Sequence, residues 1–454
     1  MPEMQKFIIC GGNKLKGEVE IRGAKNAAFP VLCASLLTKE PCIIENLPLV
    51  EDVFKMLKII ERMGAEISWL GKRKIKIKCA KIDPLKIPYE LVGFLRGSIL
   101  LLGPLLSRFG KLEIPPPGGC MIGARPIDSH LDAFSQLSVE IKKVPSKISK
   151  KSSSRAIPIS EVYCFRKTKN KSQKFHTASF LKEKDKKAIE VVLREFSVTS
   201  TENVLLFSAL QPQKTVIKIA DFDYQVQELV SVLRKMGVSI EEKEGHTLEV
   251  RGARNLKGFN HKLISDPIET GTFIIASLIT EGEVLLKEAQ LSFLDLFLKR
   301  LYDFGAKFKI LDEHTIKVFP SKHLKIDKIQ SLPYPGIHTD LQPELGVLAT
   351  QTEGPTLIHD PLFEGRLRYL DQLNKMGADI IFCGPHRAVV YGPTVLTGIE
   401  IPSPDLRAGA ALILAGLIAR GKTIINNIYQ IDRGYERIEQ RLQKLGADIK
   451  RITL

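Results

Sequence analysis

"YLDQLNKMGADI", residues 369–380, decides the fold. Tyr369, Leu373 and Met376 recur at spacings of four and three, the period of one helix face. Gly377 then falls where a helix ends in a left-handed residue, a conformation glycine adopts without steric penalty. Ala378 and Ile380 flank Asp379, which is the alternation of a strand. The phrase reads as helix, tight turn, strand.

The phrase returns along the chain: "MLKIIERMGAEI" (56–67), "LVSVLRKMGVSI" (229–240), "LFLKRLYDFGAKF" (296–308) and "IEQRLQKLGADI" (438–449). A sixth copy, "LDAFSQLSVEI" (131–141), carries Ser138 where the glycine belongs. The turn positions 64, 138, 237, 305, 377 and 446 lie about seventy residues apart, except between 138 and 237. A second phrase repeats in phase, as in "LLTKEPCIIENL" (36–47), "SLITEGEVLLKE" (277–288) and "GLIARGKTIINN" (416–427). It reads as the end of an apolar helix, a turn bearing Gly or Pro, and a strand. Six such units make an α/β protein, divided three and three. A solenoid is the alternative, but units of this length close into compact subdomains rather than single stacked layers.

The one long gap holds a lysine-rich stretch. Of the net charge of +16, +12 lies between Lys142 and Lys187. A Lys/Ser-rich run with few large apolar residues reads as a solvated loop inserted into a regular unit, here at about 142–190. The competing reading is a nucleic-acid-binding surface, which a basic patch also suits. The rest of the chain is only mildly basic.

At 454 residues with 44% hydrophobic content, the chain is long enough for two or more cores. It holds no apolar run of membrane-spanning length, and "MPEMQKFIIC" has neither a basic leader nor an apolar signal stretch. The expectation is a cytoplasmic protein. The seven cysteines, Cys10, Cys33, Cys42, Cys79, Cys120, Cys164 and Cys383, form no CxxC pair. Neither a disulfide framework nor a zinc site is expected, and most of them read as small buried hydrophobes.

Polar residues that interrupt the repeats carry the chemical signal. "GAKNAA" places Lys25 and Asn26 at the head of an apolar helix, where free N–H groups favour an anion; a solvated surface lysine is the alternative. Arg96 in "LRGSILLLGPL" and Arg407 in "DLRAGAALILAG" stand at the start of apolar runs, suited either to structural pairing or to clamping an anion. "PPPGGCMIGARP" (115–126) is too rich in Pro and Gly for helix or strand, so it reads as a loop, with Cys120 exposed and Arg125 near enough to favour its thiolate. An incidental buried cysteine is the other reading. Asp340 in "HTDLQPE", with Glu364 and Arg366 in "FEGR", marks a further irregular stretch, where Asp340 could equally cap a helix. Rossmann, HExxH and Gly-x-Ser-x-Gly patterns are absent.

These stretches, with "PGGCMIGARPID", "SVTSTEN", "DPIETGTF" and "IDRGYERIE", resemble the enolpyruvyl transferases in content and order, and cover nearly the whole chain outside the lysine-rich stretch. The cysteine loop resembles the branch whose acceptor is UDP-N-acetylglucosamine. The resemblance implies two inside-out α/β barrels with substrates in a cleft between them. One domain would span 25–264 and carry the cysteine loop; the other would join 1–24 to 265–454. It implies transfer of the enolpyruvyl group of phosphoenolpyruvate to the sugar 3-hydroxyl with release of phosphate, no cofactor or metal, no membrane or nucleic-acid partner, and a monomer as the favoured state. By match to the family's motifs, Cys120 would be the general acid and Asp340 the base. Lys25, Arg125 and Arg407 would clamp phosphate and carboxylate. Asn26, Arg96, Pro126, Ile127, Asp128, Ser197, Val198, Leu362 and Arg366 would line the UDP-sugar site.

Two features depart from the family's pattern. Glu195 stands where a lysine is common before "SVTS", and the lysine-rich stretch is absent from typical members. Competing readings are a transferase acting on shikimate 3-phosphate, against which "PGGC" argues, and a nucleic-acid-binding relative.

Overall fold

The computed structural model describes residues 5–119, 122–123, 125–145, 161–168 and 188–453. Backbone contacts divide the chain into two compact units. One comprises Lys25–Gly119 and Arg125–Ile264; the other comprises Met1–Ala24, Cys120–Ala124 and Ser265–Leu454. Each has its own apolar core.

The repeated phrases become repeated elements. Among the described residues, each unit contains three β-sheets. In one of them, Asn260–Lys262 pairs in parallel with Cys42–Glu45, followed by antiparallel Lys74–Lys78 and then antiparallel Glu66–Gly71. Four other sheets repeat this order of pairings: one parallel, then two antiparallel. The strands alternate: Ile75 and Ile77 are fully buried, while Lys76 and Lys78 face water.

Two kinds of helix accompany the sheets. Pro267–Ile279 is buried at every residue, Gln342–Ala349 likewise, and Leu406–Ile418 at every residue but its last. Lys25–Ala34 and Val198–Ser208 play the same part in the other unit. A helix apolar all round has to lie in the centre. Helices such as Glu51–Arg62 and Tyr224–Lys235 have one buried face, and they end in the repeated turn. Each unit is thus built with helices inside and sheets outside, each fully buried Leu or Ile contributing about 1.5–3 kcal/mol. The turn glycines, Gly64, Gly237, Gly305, Gly377 and Gly446, have φ of 105°, 101°, 94°, 100° and 98°. Ser138, in the sixth copy, is also left-handed, with φ of 60°.

The lysine-rich stretch corrects the sequence reading. It is not one loop from 142 to 190. Val139–Pro145 and Glu161–Lys167 are antiparallel strands, and Glu161–Lys167 lies between Val139–Pro145 and Lys111–Ile114 in the sixth sheet. Ile189–Val192 is a further strand. Glu161–Lys167 takes the place that Lys74–Lys78 has in its own sheet, and it buries Val162 and Phe165. Flanking lysines masked this short strand in any composition window. Residues 146–160 and 169–187 lie outside the described residues.

Among the described residues, no helix is long and apolar enough to cross a membrane. Cys33, Cys42 and Cys79 are buried, Cys164 is half-buried, and Cys10 and Cys383 are exposed, so burial holds for fewer cysteines than the sequence suggested.

Candidate active site

In the Lys25–Ile264 unit, the expected site residues gather at the N-terminal ends of central helices. Lys25 opens its helix and is 7% exposed, with Nζ 3.6 Å from Asp52 Oδ2 and 5.4 Å from the Phe29 ring centroid. A buried lysine at the positive end of a helix dipole is unfavourable alone, and Asp52 compensates. Asn26 follows, half-buried. The same helix packs on the 3-10 turn Arg96–Leu101, where a Cβ on Gly97 would come within 2.8 Å of the Phe29 ring.

Arg96 donates from Nη2 to the Pro126 carbonyl at 2.9 Å, and burial with the nearby Arg125 charge lowers its pKa to about 10. Gly119 has φ of 128°, and a Cβ there would lie 2.7 Å from Arg96 Cβ and 3.5 Å from Arg125 Nη1. Arg96, Arg125 and Pro126 are therefore brought together by the end of the glycine loop. Ile127 precedes the helix Asp128–Gln136, and Asp128 is exposed in its first turn.

Ser197 caps Val198–Ser208, its Oγ accepting from Ser200 N at 3.4 Å. Ser129 and His130 join this helix to Asp128–Gln136. The Ser200 and Ser129 hydroxyls are 3.1 Å apart, and His130 reaches Thr199 Oγ1 at 3.1 Å and Asn203 Nδ2 at 3.0 Å. Burial, aided by the Arg96 charge, lowers the His130 pKa to about 3. The neutral ring accepts from Asn203 at Nδ1, an assignment fixed by the amide donor.

In the Ser265–Leu454 unit, Asp340 is the hub. Its Oδ1 accepts from Arg366 Nη2 at 2.9 Å and its Oδ2 from Arg407 Nε at 3.0 Å. Both arginines are buried, at 4% and 1% exposure. Arg366 Nε also donates to Thr339 Oγ1, whose hydroxyl donates to Asp360. Leu362 is surface-exposed, and its N–H donates to Asp360 Oδ1 at 3.0 Å. Arg407 Nη1 and Nη2 are buried and, apart from a contact of the guanidinium with the Tyr435 hydroxyl, make no hydrogen bond of normal geometry among the described residues, which leaves donors suited to an anion.

Ile122 and Gly123 group with this unit, the Ile122 carbonyl accepting from Gly365 N at 3.0 Å. Cys120 lies outside the described residues. No group of three or more His, Cys, Asp or Glu that could hold a metal ion occurs among the described residues.

Sequence reasoning assigned no role to the groups around Arg407. Glu344 and Thr272 are buried on facing helices, Tyr435 lies against the guanidinium at 5.2 Å from ring centroid to Cζ, and Asp266 caps Pro267–Ile279. "DPIETGTF" and "IDRGYERIE" contain three of these four residues; polar side chains inside helices otherwise apolar were the available signal. Burial lowers the Arg407 pKa by itself, but Tyr435, Asp340, Asp266 and Glu344 outweigh it and hold the group charged.

A family model described as EPSP synthase (3-phosphoshikimate 1-carboxyvinyltransferase) matches residues 9–160 and 167–442. A UDP-N-acetylglucosamine 1-carboxyvinyltransferase of Coxiella burnetii is 37% identical over 450 residues, covering 99% of this chain and 96% of the relative. One from Finegoldia magna is 37% identical, covering 97% of each. Among solved structures, the enolpyruvyl transferase NikO from Streptomyces tendae matches all of both chains with a TM-score of 0.83 at 23% identity. An EPSP synthase from Acinetobacter baumannii matches with a TM-score of 0.72 at 17% identity, over 99% of this chain and 100% of its own. These two likenesses concern the fold, whereas the curated relatives share sequence along nearly the whole length. The chain belongs to the enolpyruvyl transferase family, to which these UDP-N-acetylglucosamine 1-carboxyvinyltransferases also belong.

Proposed function

We propose that the protein transfers the enolpyruvyl group of phosphoenolpyruvate to the 3-hydroxyl of UDP-N-acetylglucosamine, releasing phosphate, as a step of peptidoglycan synthesis. The observation that carries this reading is 37% identity to transferases of that name over 99% of the chain, with "PGGCMIGARPID" present in full. Both substrates are cytoplasmic metabolites, which is the compartment we assign, and we take the working species to be a monomer.

The chemistry requires C3 of phosphoenolpyruvate to gain a proton while C2 accepts the sugar oxygen. The tetrahedral ketal then loses phosphate from C2 and a proton from C3. An acid, a base and fixed cations are needed, the last because an oriented charge in a water-poor site stabilises developing anions. Cys120 is assigned the acid. Asp340 is assigned the proton of the sugar hydroxyl, and the two arginines bonded to it fix its orientation. Arg407, whose Nη1 and Nη2 make no hydrogen bond of normal geometry among the described residues, is assigned with Lys25 and Arg125 to the phosphate and carboxylate. Asn26, Arg96, Pro126, Ile127, Asp128, Ser197, Val198, Leu362 and Arg366 are assigned to the UDP-sugar.

The test is phosphate release from phosphoenolpyruvate with UDP-N-acetylglucosamine, shikimate 3-phosphate or no acceptor, beside Cys120→Ala. Release with the UDP-sugar alone, lost in the variant, is expected. Release with shikimate 3-phosphate instead would move the reading to the acceptor named in the family model.

A further inference from the structure

Glu344 is the third residue of Gln342–Ala349 and is fully buried. Its Oε1 lies 3.0 Å from the Tyr435 hydroxyl and 3.2 Å from Thr272 Oγ1, which are themselves 2.9 Å apart. Three oxygens in mutual hydrogen-bond contact can hold two protons or three. With Glu344 ionised, both hydroxyls donate to Oε1. With Glu344 protonated, it donates to Tyr435, Tyr435 donates to Thr272, and Thr272 turns to the Ile268 carbonyl 2.9 Å away. The triangle is satisfied either way, so the carboxyl can change charge without leaving a hydroxyl stranded.

The surroundings place that change near neutrality. Glu344 Oε2 is buried without a hydrogen-bond partner among the described residues, which penalises a charge. Burial pushes the carboxyl up to about 7, against the opposing pull of Arg407. The groups around it are Asp266, Glu269 and Thr272 from Pro267–Ile279, Arg407 from Leu406–Ile418, Tyr435, Tyr369 at the start of Tyr369–Lys375, and Asp340. Strands Lys328–Gln330 and Arg387–Gly392 bury apolar Ile329, Ala388 and Val390. Glu269 is paired with Arg441 at 2.7 Å, and Asp340 with Arg366 and Arg407. Arg407 is the cation of this set whose charge acts on Glu344, and beyond its contact with Tyr435 its Nη1 and Nη2 make no hydrogen bond of normal geometry among the described residues.

We propose that Glu344 is a positioning residue for Arg407, taking one proton from solvent when an anionic group settles on the Nη edge and releasing it when the anion leaves. This rests on the reading of Arg407 as part of the phosphoenolpyruvate clamp. The Arg407 charge favours ionised Glu344; an anion on Arg407 cancels that field, and Glu344 gains its proton. By linkage, a protonated Glu344 strengthens anion binding by the same factor.

The test is the KM for phosphoenolpyruvate in the phosphate-release assay, from about pH 6 to about pH 8.5, for wild type, Glu344→Gln and Tyr435→Phe. Dividing the wild-type KM by that of Glu344→Gln cancels titration of the substrate and of every other group. The ratio is expected to rise about threefold to tenfold across the range, because only wild type gains a negative charge beside Arg407 as pH increases. Tyr435→Phe keeps the ring but removes a donor to the ionised carboxylate, so its rise is expected at higher pH. A ratio that does not change with pH overturns the proposal. If Glu344→Gln does not fold, an unshifted Tyr435→Phe profile overturns it. Wild type that releases no phosphate with the UDP-sugar would overturn the functional reading, and the proposal with it.

Discussion

Replacing Asp340 by Asn keeps the shape of the hub and removes its charge. Arg366 Nη2 and Arg407 Nε now share one carboxylate, one oxygen each, and both guanidinium groups are buried. The amide retains a single acceptor oxygen, so one arginine keeps its bond and the other meets an NH2. Removing one partner of a buried ion pair costs about 3–5 kcal/mol; the retained bond and the 18% exposure of the Asp340 side chain place this case at the low end. For a unit of this size, 1 kcal/mol moves the melting temperature by about 2–4 °C, so a loss of about 6–12 °C is expected. The assay is calorimetry in an anion-free buffer, repeated in tens of millimolar phosphate. Phosphate should recover part of the loss in Asp340→Asn and raise wild type less, because the variant's arginines lack their carboxylate. A variant that melts with wild type in anion-free buffer would refute the argument that this carboxylate compensates two buried cations.

The repeated turn gives a reciprocal pair. Ser138→Gly is expected to stabilise by about 0.5–1 kcal/mol, since the backbone is left-handed and the Ser138 hydroxyl makes no hydrogen bond among the described residues. Gly64→Ala is expected to cost about 2 kcal/mol or more, because its Cβ would lie 2.4 Å from the Lys81 carbonyl oxygen; melting curves of both decide. Iodoacetamide should label Cys10 and Cys383 in the native protein and spare Cys33, Cys42 and Cys79, whose thiols burial raises, to about 12 for Cys42 and about 11 for Cys79. Mass spectrometry of native and denatured samples checks it, and fosfomycin with UDP-sugar should add a modification at Cys120. Excising 142–190 should destabilise the protein by removing the middle strand Glu161–Lys167, whereas replacing 146–160 by a short Asn-Gly turn should leave melting and the UDP-sugar KM unchanged. Equal melting of the two deletions would remove that strand from the account.

Local rules made the architecture legible. A left-handed turn needs glycine, a buried helix needs apolar residues all round, and both requirements recur in sequence, so "YLDQLNKMGADI" and its relatives announced their elements. Ser138 was legible only through its neighbours, as a break in the period. Glu161–Lys167 was hidden because a strand of seven residues that buries only Val162 and Phe165, on opposite faces, carries less signal than the lysines around it. At the site, Arg407 at the head of an apolar helix and Arg366 in "FEGR" stood out, and both do meet Asp340. The partners of Arg407 did not stand out. Glu344 sits in "QPELG" and reads as an ordinary first-turn acid favoured by the helix dipole; only packing of Thr272 and Tyr435, from distant parts of the chain, makes it a buried titrating group.

The sixth sheet also fixes where this protein tolerates new sequence. Pro145 and Glu161 are directly opposed in the antiparallel ladder, so their Cα atoms stand about 5 Å apart. Whatever joins them begins and ends at one place, and lengthening it adds only the slow logarithmic cost of loop closure. In engineering terms this is a port. A fluorescent or affinity module whose own termini lie close together can replace residues 146–160 while both strands keep their register, reporting on the protein from a position the repeat has already closed.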